Sequence, residues 1–218
     1  MKKNIIISPS VLACDFAKAG EEVKKVYEGG AEYIHLDVMD GIFVPNISFG
    51  PGFIKALRPH SKAVFDTHLM IVDPMRYIDA FVDAGSDIIT IHVESCDNVE
   101  QTLKYIKSKG IKTGIVIKPK TPVSDVVPYL HLIDMLLIMS VEPGFGGQSF
   151  IPESLEKLRQ ARQMIDNCPY DIDLEVDGGV NTENISDIIE AGANVIVAGS
   201  AVFRAENAGQ TIKMLKGQ

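Results

Sequence analysis

Three short stretches of the sequence hold residues able to bind a metal ion and to move protons. His35 and Asp37 lie in Tyr33-Ile34-His35-Leu36-Asp37-Val38-Met39-Asp40-Gly41, and His68 lies in Asp66-Thr67-His68-Leu69-Met70. Asp177 lies in Leu174-Glu175-Val176-Asp177-Gly178-Gly179. Side chains alternate faces along a strand, so His35, Asp37 and Met39 point one way. An imidazole and a carboxylate two residues apart on one face is compact metal-ligand spacing. Two neutral imidazoles with two carboxylates would neutralise a divalent ion such as Zn²⁺, Fe²⁺ or Mn²⁺. Any one of these residues alone reads as a hydrogen-bonded polar group at a strand end. Four of them on matching strand ends read as a ligand set.

Such a set needs elements that bring distant stretches to one place. Apolar, β-branched runs recur at 5–11, 33–39, 63–70, 87–93, 112–118, 135–141, 172–177 and 194–199. Between them lie helical patterns, at Phe16 to Glu28, Met75 to Ala84, Val99 to Lys109, Ser154 to Asp166 and Asn184 to Ala191, with shorter ones at about 51–58 and 123–131. Gly29-Gly30, Gly85, Gly110 and Gly192 stop helices before the next strand. Strands alternating with helices imply parallel pairing through crossovers, and strands apolar nearly throughout imply a sheet covered on both faces. Ser10, His35, Asp37, His68, His92, Ser140, Asp177 and Ser200 fall at the C-terminal ends of successive strands. Only a closed barrel gathers all those ends at one mouth, so the expected fold is an α/β (β/α)8 barrel spanning 1–218 as one domain.

The 218 residues carry a formal net charge of −8, and no basic cluster is interleaved with aromatics, which argues against a nucleic-acid surface. No apolar run is long enough to cross a bilayer. The start, with Lys2, Lys3 and a short apolar run, is faintly leader-like, but Asp15 and Lys18 follow too soon for a cleavable signal. Cys14, Cys96 and Cys168 are odd in number and widely spaced, which fits a reducing, cytoplasmic setting.

Acidity does not exclude a phosphorylated substrate, because backbone N–H groups at glycine-rich turns bind phosphate without lysine. Three such turns follow successive strands: Val141-Glu142-Pro143-Gly144-Phe145-Gly146-Gly147-Gln148-Ser149-Phe150, then Asp177-Gly178-Gly179, then Ala198-Gly199-Ser200. Barrel enzymes place phosphate at this part of the mouth. The loop from Pro143 to Pro152 is long enough to act as a lid. Met39, Met70 and Met139 lie at or near strand ends, where methionine ordinarily fills gaps; here the soft sulfurs could also keep a site dry. His60 and His131 read as surface residues, and His92 as a mouth residue without an assigned role. Cys14 and Cys96 read as packing residues, since no base accompanies them.

Ser8-Pro9-Ser10, His35-Leu36-Asp37-Val38-Met39-Asp40-Gly41, Asp66-Thr67-His68-Leu69-Met70, Pro143-Gly144-Phe145-Gly146-Gly147-Gln148 and Asp177-Gly178-Gly179-Val180 together closely resemble the ribulose-phosphate 3-epimerase family, essentially end to end. The resemblance implies a (β/α)8-barrel isomerase of the pentose phosphate pathway that interconverts ribulose 5-phosphate and xylulose 5-phosphate through an enediolate, using one divalent metal. It further implies that Asp37 and Asp177 are the acid/base pair, and that His35, Asp37, His68 and Asp177 hold the metal. Ser10, His68 and Asp177 would touch the substrate. Gly144, Phe145, Gly146, Gly147, Gly178, Gly179, Gly199 and Ser200 would hold its phosphate end, and Met39, Met70 and Met139 would border the enediolate. A homo-oligomer is implied as well. Two alternatives share the chemistry: an epimerase for a hexulose phosphate such as allulose 6-phosphate, and a metal-dependent sugar-phosphate lyase.

Overall fold

The computed structural model describes residues 4–218, so the leader-like Lys2 and Lys3 lie outside the described residues. Eight parallel strands form one sheet: β1 Ile6–Pro9, β2 Tyr33–Met39, β3 Val64–Met70, β4 Ile88–His92, β5 Lys112–Ile117, β6 Met135–Met139, β7 Asp173–Asp177 and β8 Val195–Ala198. Ladders run unbroken from β2 through β8 to β1, and a parallel bridge between Ser10 and His35 spans the remaining gap between β1 and β2. The barrel therefore closes at the first expected metal ligand.

The helices are α1 Ala19–Glu28, α2 Pro51–Leu57, α3 Ile78–Asp83, α4 Val99–Ser108, α5 Ser154–Asp166, α6 Ile185–Glu190, α7 Ser200–Phe203 and α8 Ala208–Leu215. Their apolar residues recur at helical spacing and face the barrel. Ala19, Val23 and Val26 of α1 are buried, as are Val99, Leu103 and Ile106 of α4 and Leu158, Ala161 and Ile165 of α5. The side chain of Asn98 caps α4 by accepting the Gln101 N–H at 3.0 Å, and Asn207 caps α8 in the same way on Gln210. The expected helix over 123–131 is instead a 3-10 segment, Val123–Leu132, with Pro128 inside it. Proline has no N–H to continue an α-helical ladder, so the tighter turns take over. The segment expected from Met75 likewise begins as a 3-10 turn, Pro74–Tyr77. Among the described residues no helix is long and apolar enough to cross a membrane.

Burial divides the strands by parity. Ile34, Leu36 and Val38 of β2, with Phe65 and Leu69 of β3, belong to the main core between barrel and helices. On the opposite face Tyr33, Ile88, Met135 and Val195 plug the barrel's base, packed by Ile6 and Val64. One step up from this plug on the same parity, Ser8, His35, Asp66, Thr90 and Glu175 are all fully buried. The strands are thus less uniformly apolar than expected. Their outer face is apolar, while the upper interior alternates in polar residues, because there it is a site rather than a core.

Candidate active site

The barrel wall brings the four expected ligands together. One ligand atom from each of His35, Asp37, His68 and Asp177 lies within 4.8 Å of the others. His35 Nε2 is 3.3 Å from Asp37 Oδ1 and 3.9 Å from Asp177 Oδ2, and His68 Nδ1 is 3.3 Å from the same Asp37 oxygen. The register explains the convergence: β2 and β3 pair His35 with Asp66, Asp37 with His68 and Met39 with Met70, so each inward rung carries two functional groups.

Each ligand is held from behind. His35 Nδ1 donates to Asp66 Oδ2 at 2.7 Å, with Glu175 Oε1 behind at 3.5 Å. That contact commits Nδ1–H to Asp66 and turns Nε2 toward the cluster, where it is fully buried without a hydrogen-bond partner. Ser10 Oγ donates to Asp37 Oδ2 at 2.5 Å. Ser48 Oγ donates to the Asp37 carbonyl at 2.5 Å and accepts the Met39 N–H at 3.0 Å, tying down the end of β2. Ser140 Oγ reaches the carbonyls of Asp177, at 2.9 Å, and Gly178, at 2.7 Å, and does the same for β7.

Burial alone would lower the proton affinity of His35, but the Asp37 and Asp66 carboxylates outweigh it and hold the imidazole well above its usual value. The cluster thus demands a positive charge at this nitrogen, whether a proton or a metal ion. Burial opposes ionisation of Asp37, yet His35 and His68 beside it hold the carboxyl well below the usual range. Asp177 behaves oppositely: burial and the negative charge of Asp37 push it up to about 7. Burial also pushes Glu175 well upward, reinforced by Asp66. His92 is lowered to about 4 by its burial, which keeps it neutral. The orphaned Nε2, the convergent carboxylates and the mixed N/O donor set all fit a divalent ion held by His35, Asp37, His68 and Asp177.

Above this cluster opens a pocket lined by Ser10, Asp37, Met39, Met70, Met139, Gly144, Phe145, Gly146, Gly147, Asp177, Gly178, Gly179, Gly199 and Ser200. Every expected site residue except His35 and His68 lines it, and those two lie beneath, fully buried. Met39 and Met70 form one apolar wall with Val44, and Met139 forms another with Val116, Leu137 and Val141. At the glycine turn after β7, φ is +125° at Gly178 and +67° at Gly179. A Cβ at Gly179 would lie 2.2 Å from the Phe150 nitrogen, so the two turns pack backbone on backbone.

Asp66, Glu175, Ser48 and Glu94 were not singled out in the sequence, and His92 had no role there. Two of them carried a signal. Asp66 precedes His68 by two residues and Glu175 precedes Asp177 by two, so alternation puts each on the same inward face, one rung deeper. His92 is fully buried with its Nε2 at 2.8 Å from His68 Nε2. His60 and His131 are exposed, as expected. Burial pushes the Cys14 thiol up to about 12 and raises Cys96 as well, so neither is a thiolate nucleophile.

A parallel eight-stranded barrel with imidazoles, carboxylates and glycine turns at the C-terminal ends of its strands defines a (β/α)8-barrel enzyme. An orotidine 5′-phosphate decarboxylase from Pyrococcus horikoshii shares this fold, at a TM-score of 0.72 and 14% identity over 97% of each chain. The sequence places it further: the chain belongs to the ribulose-phosphate 3-epimerase family, whose sequence model matches residues 6–203. It is 51% identical to the ribulose-phosphate 3-epimerase of Synechocystis over 97% of this chain and 93% of that one. It is 46% identical to that of Bacillus subtilis over 98% and 99%.

Proposed function

We propose that the chain interconverts D-ribulose 5-phosphate and D-xylulose 5-phosphate, with Asp37 and Asp177 exchanging the C3 proton across the two faces of the sugar. Family membership supports the reaction. The observation that carries the residue roles is the opposite character of the two carboxyls in one pocket. Asp37 is held ionised by two imidazoles, while Asp177 is pushed up to about 7. Inverting C3 means taking a proton from one face and returning one to the other, which a single side chain cannot readily do. In one direction Asp37 accepts the proton and Asp177 delivers one; in the other the roles exchange. β2 and β7 are separated around the wall by β1 and β8, so the two carboxyls approach from different strands.

His35, Asp37, His68 and Asp177 would hold one divalent ion. Bound there, it would supply Lewis-acid stabilisation of the negative charge that develops on the sugar oxygens. Ser10 orients Asp37 through their hydrogen bond and contacts the substrate. Met39, Met70 and Met139 exclude water and offer no competing proton. Backbone N–H groups at Gly144, Phe145, Gly146, Gly147, Gly178, Gly179, Gly199 and Ser200 would bind the phosphate, with the 143–152 loop closing over it. The proposal extends to a cytoplasmic homo-oligomer. The free cysteines Cys14, Cys96 and Cys168 are consistent with that compartment. Ile42 and Ile47, each 75% exposed, offer apolar surface for association, which sedimentation analysis would test.

The distinguishing experiment compares kcat/KM on ribulose 5-phosphate and allulose 6-phosphate. The pentulose is expected to be strongly preferred, and a preference for the hexulose would overturn the substrate assignment. Release of an aldehyde product would instead favour the lyase.

A further inference from the structure

We infer that Glu94, acting through His92, fixes His68 in the tautomer that leaves its cluster-facing Nδ1 free to bind a metal, which makes both of them positioning residues for a ligand that Glu94 never touches. The inference rests on the metal reading above and extends it to residues outside the ligand set.

His92 ends β4 with its Nε2 at 2.8 Å from His68 Nε2. Two imidazole nitrogens this close need one proton between them; none or two would place lone pairs or hydrogens in opposition. The far side of His92 settles which ring supplies it. His92 Nδ1 lies 3.2 Å from Glu94 Oε2, and a carboxylate only accepts, so Nδ1 carries the hydrogen. A neutral His92 then turns a lone pair toward His68, and His68 donates its own Nε2–H. A cation held in the cluster takes the lone pair of His68 Nδ1, the atom 3.3 Å from Asp37 Oδ1, and the Nε2–H is then the proton that the ring keeps.

Glu94 is itself pinned. Its Oε1 accepts the Lys118 N–H at 2.9 Å and the Thr121 hydroxyl, which leaves Oε2 for His92. The Phe43 ring lies against His92 with centroids 4.8 Å apart, and Lys118 Nζ sits 3.9 Å over that ring. The loop after β5 thus sets the tautomer of a ligand on β3 through two intervening side chains. His35 is served differently: Asp66 takes its Nδ1–H directly, so its Nε2 faces the cluster. The two imidazoles therefore present opposite nitrogens, with a carboxylate behind each.

Glu94→Gln tests this with almost no change of shape. Lys118 N–H and the Thr121 hydroxyl still need an acceptor, so the amide oxygen stays on them and the amide NH₂ turns to His92 Nδ1. That donor forces the His92 hydrogen onto Nε2, against the His68 Nε2–H that metal binding requires. Zinc affinity, measured by chelator competition, is expected to fall about 10–100-fold, as for the loss of other outer partners of metal ligands. In the zinc-loaded wild type, ring ¹⁵N shifts are expected to show His92 protonated at Nδ1 and His68 at Nε2. The reverse pattern, or E94Q binding zinc within about twofold of wild type, overturns the inference and leaves the metal site standing. Failure of the wild type to bind zinc overturns the metal reading, and the inference falls with it. Should E94Q not fold, the wild-type ring pattern alone decides.

Discussion

The two sides of the barrel mouth are built from different materials. On β2, β3 and β7 the working groups are side chains on strands, buried or nearly so, and His35, Asp37 and His68 are each fixed by a side-chain partner. Asp66 serves His35, Ser10 serves Asp37 and His92 serves His68. Across the mouth, the turns after β6, β7 and β8 offer backbone, and the longest of them is braced from its margins. Asn46 Nδ2 donates to the Gly144 carbonyl at 2.7 Å, and Gln148 Nε2 donates to the carbonyls of Glu142 and Phe145 at 2.7 and 2.9 Å. Phe145 itself is 55% exposed. Proton transfer and metal ligation tolerate little displacement, so they are assigned to the wall. A phosphate bound by several N–H groups tolerates more, and that task can rest on loops free to move.

If that division of labour is right, substitutions on the two sides fail differently. The largest effect is expected from Asp37→Asn and Asp177→Asn, each lowering kcat by about 10²–10⁴-fold, the usual contribution of a general acid or base. Steady-state kinetics check this, and full activity in either variant would remove the two-base mechanism. Next is Asp66→Asn. It leaves the cluster untouched but can turn a donor toward His35 Nδ1, so metal affinity is expected to fall about 10–100-fold in chelator competition.

On the loop side, Gly179→Ala forces a Cβ against the Phe150 backbone at a residue with φ +67°. The strain is about 1–3 kcal/mol. It is expected to raise KM more than it lowers kcat, the reverse of the aspartate variants; an equal fall in kcat would show the two sides to be coupled. Acidity should weaken the wall selectively. His35 holds its proton more tightly than an ordinary imidazole, so an entering ion must displace it. Metal affinity is then expected to fall as pH drops, by about tenfold per pH unit for each proton displaced. A pH-independent affinity would mean that His35 is not a ligand. The smallest effect is expected from Gln148→Ala, where two hydrogen bonds to the loop cost about 1 kcal/mol each at most. Faster amide exchange confined to 142–150 would report it.

This same division decides what the sequence discloses. Strand positions were legible because apolar runs and glycine stops repeat, and the four clustered ligands were legible because they fall at matching strand ends. The segment expected as a helix over 123–131 is 3-10 instead because a helical apolar pattern persists through Pro128, which withdraws a backbone donor without disturbing the pattern. Asp66 and Glu175 lay in view at the right parity, yet a carboxylate inside a strand gives no sign of the imidazole it will meet on another strand. The line from Glu94 through His92 to His68 is less visible still, since it depends on side chains from β3 and β4 meeting within 3 Å, which no local pattern encodes. Glycine turns, by contrast, mark a likeness to phosphate loops but not their shape.

The central claim is that Asp37 and Asp177 serve opposite faces of one carbon. Its most direct test is the fate of the C3 proton in D₂O, followed by NMR on ribulose 5-phosphate and xylulose 5-phosphate with the metal-loaded wild type and Asp177→Asn. The wild type should produce each epimer with deuterium at C3. In the variant, epimerisation should collapse, while the surviving carboxylate still exchanges the C3 proton of one epimer and not of the other. Epimerisation at the wild-type rate, or exchange of both epimers by Asp177→Asn, would contradict the account.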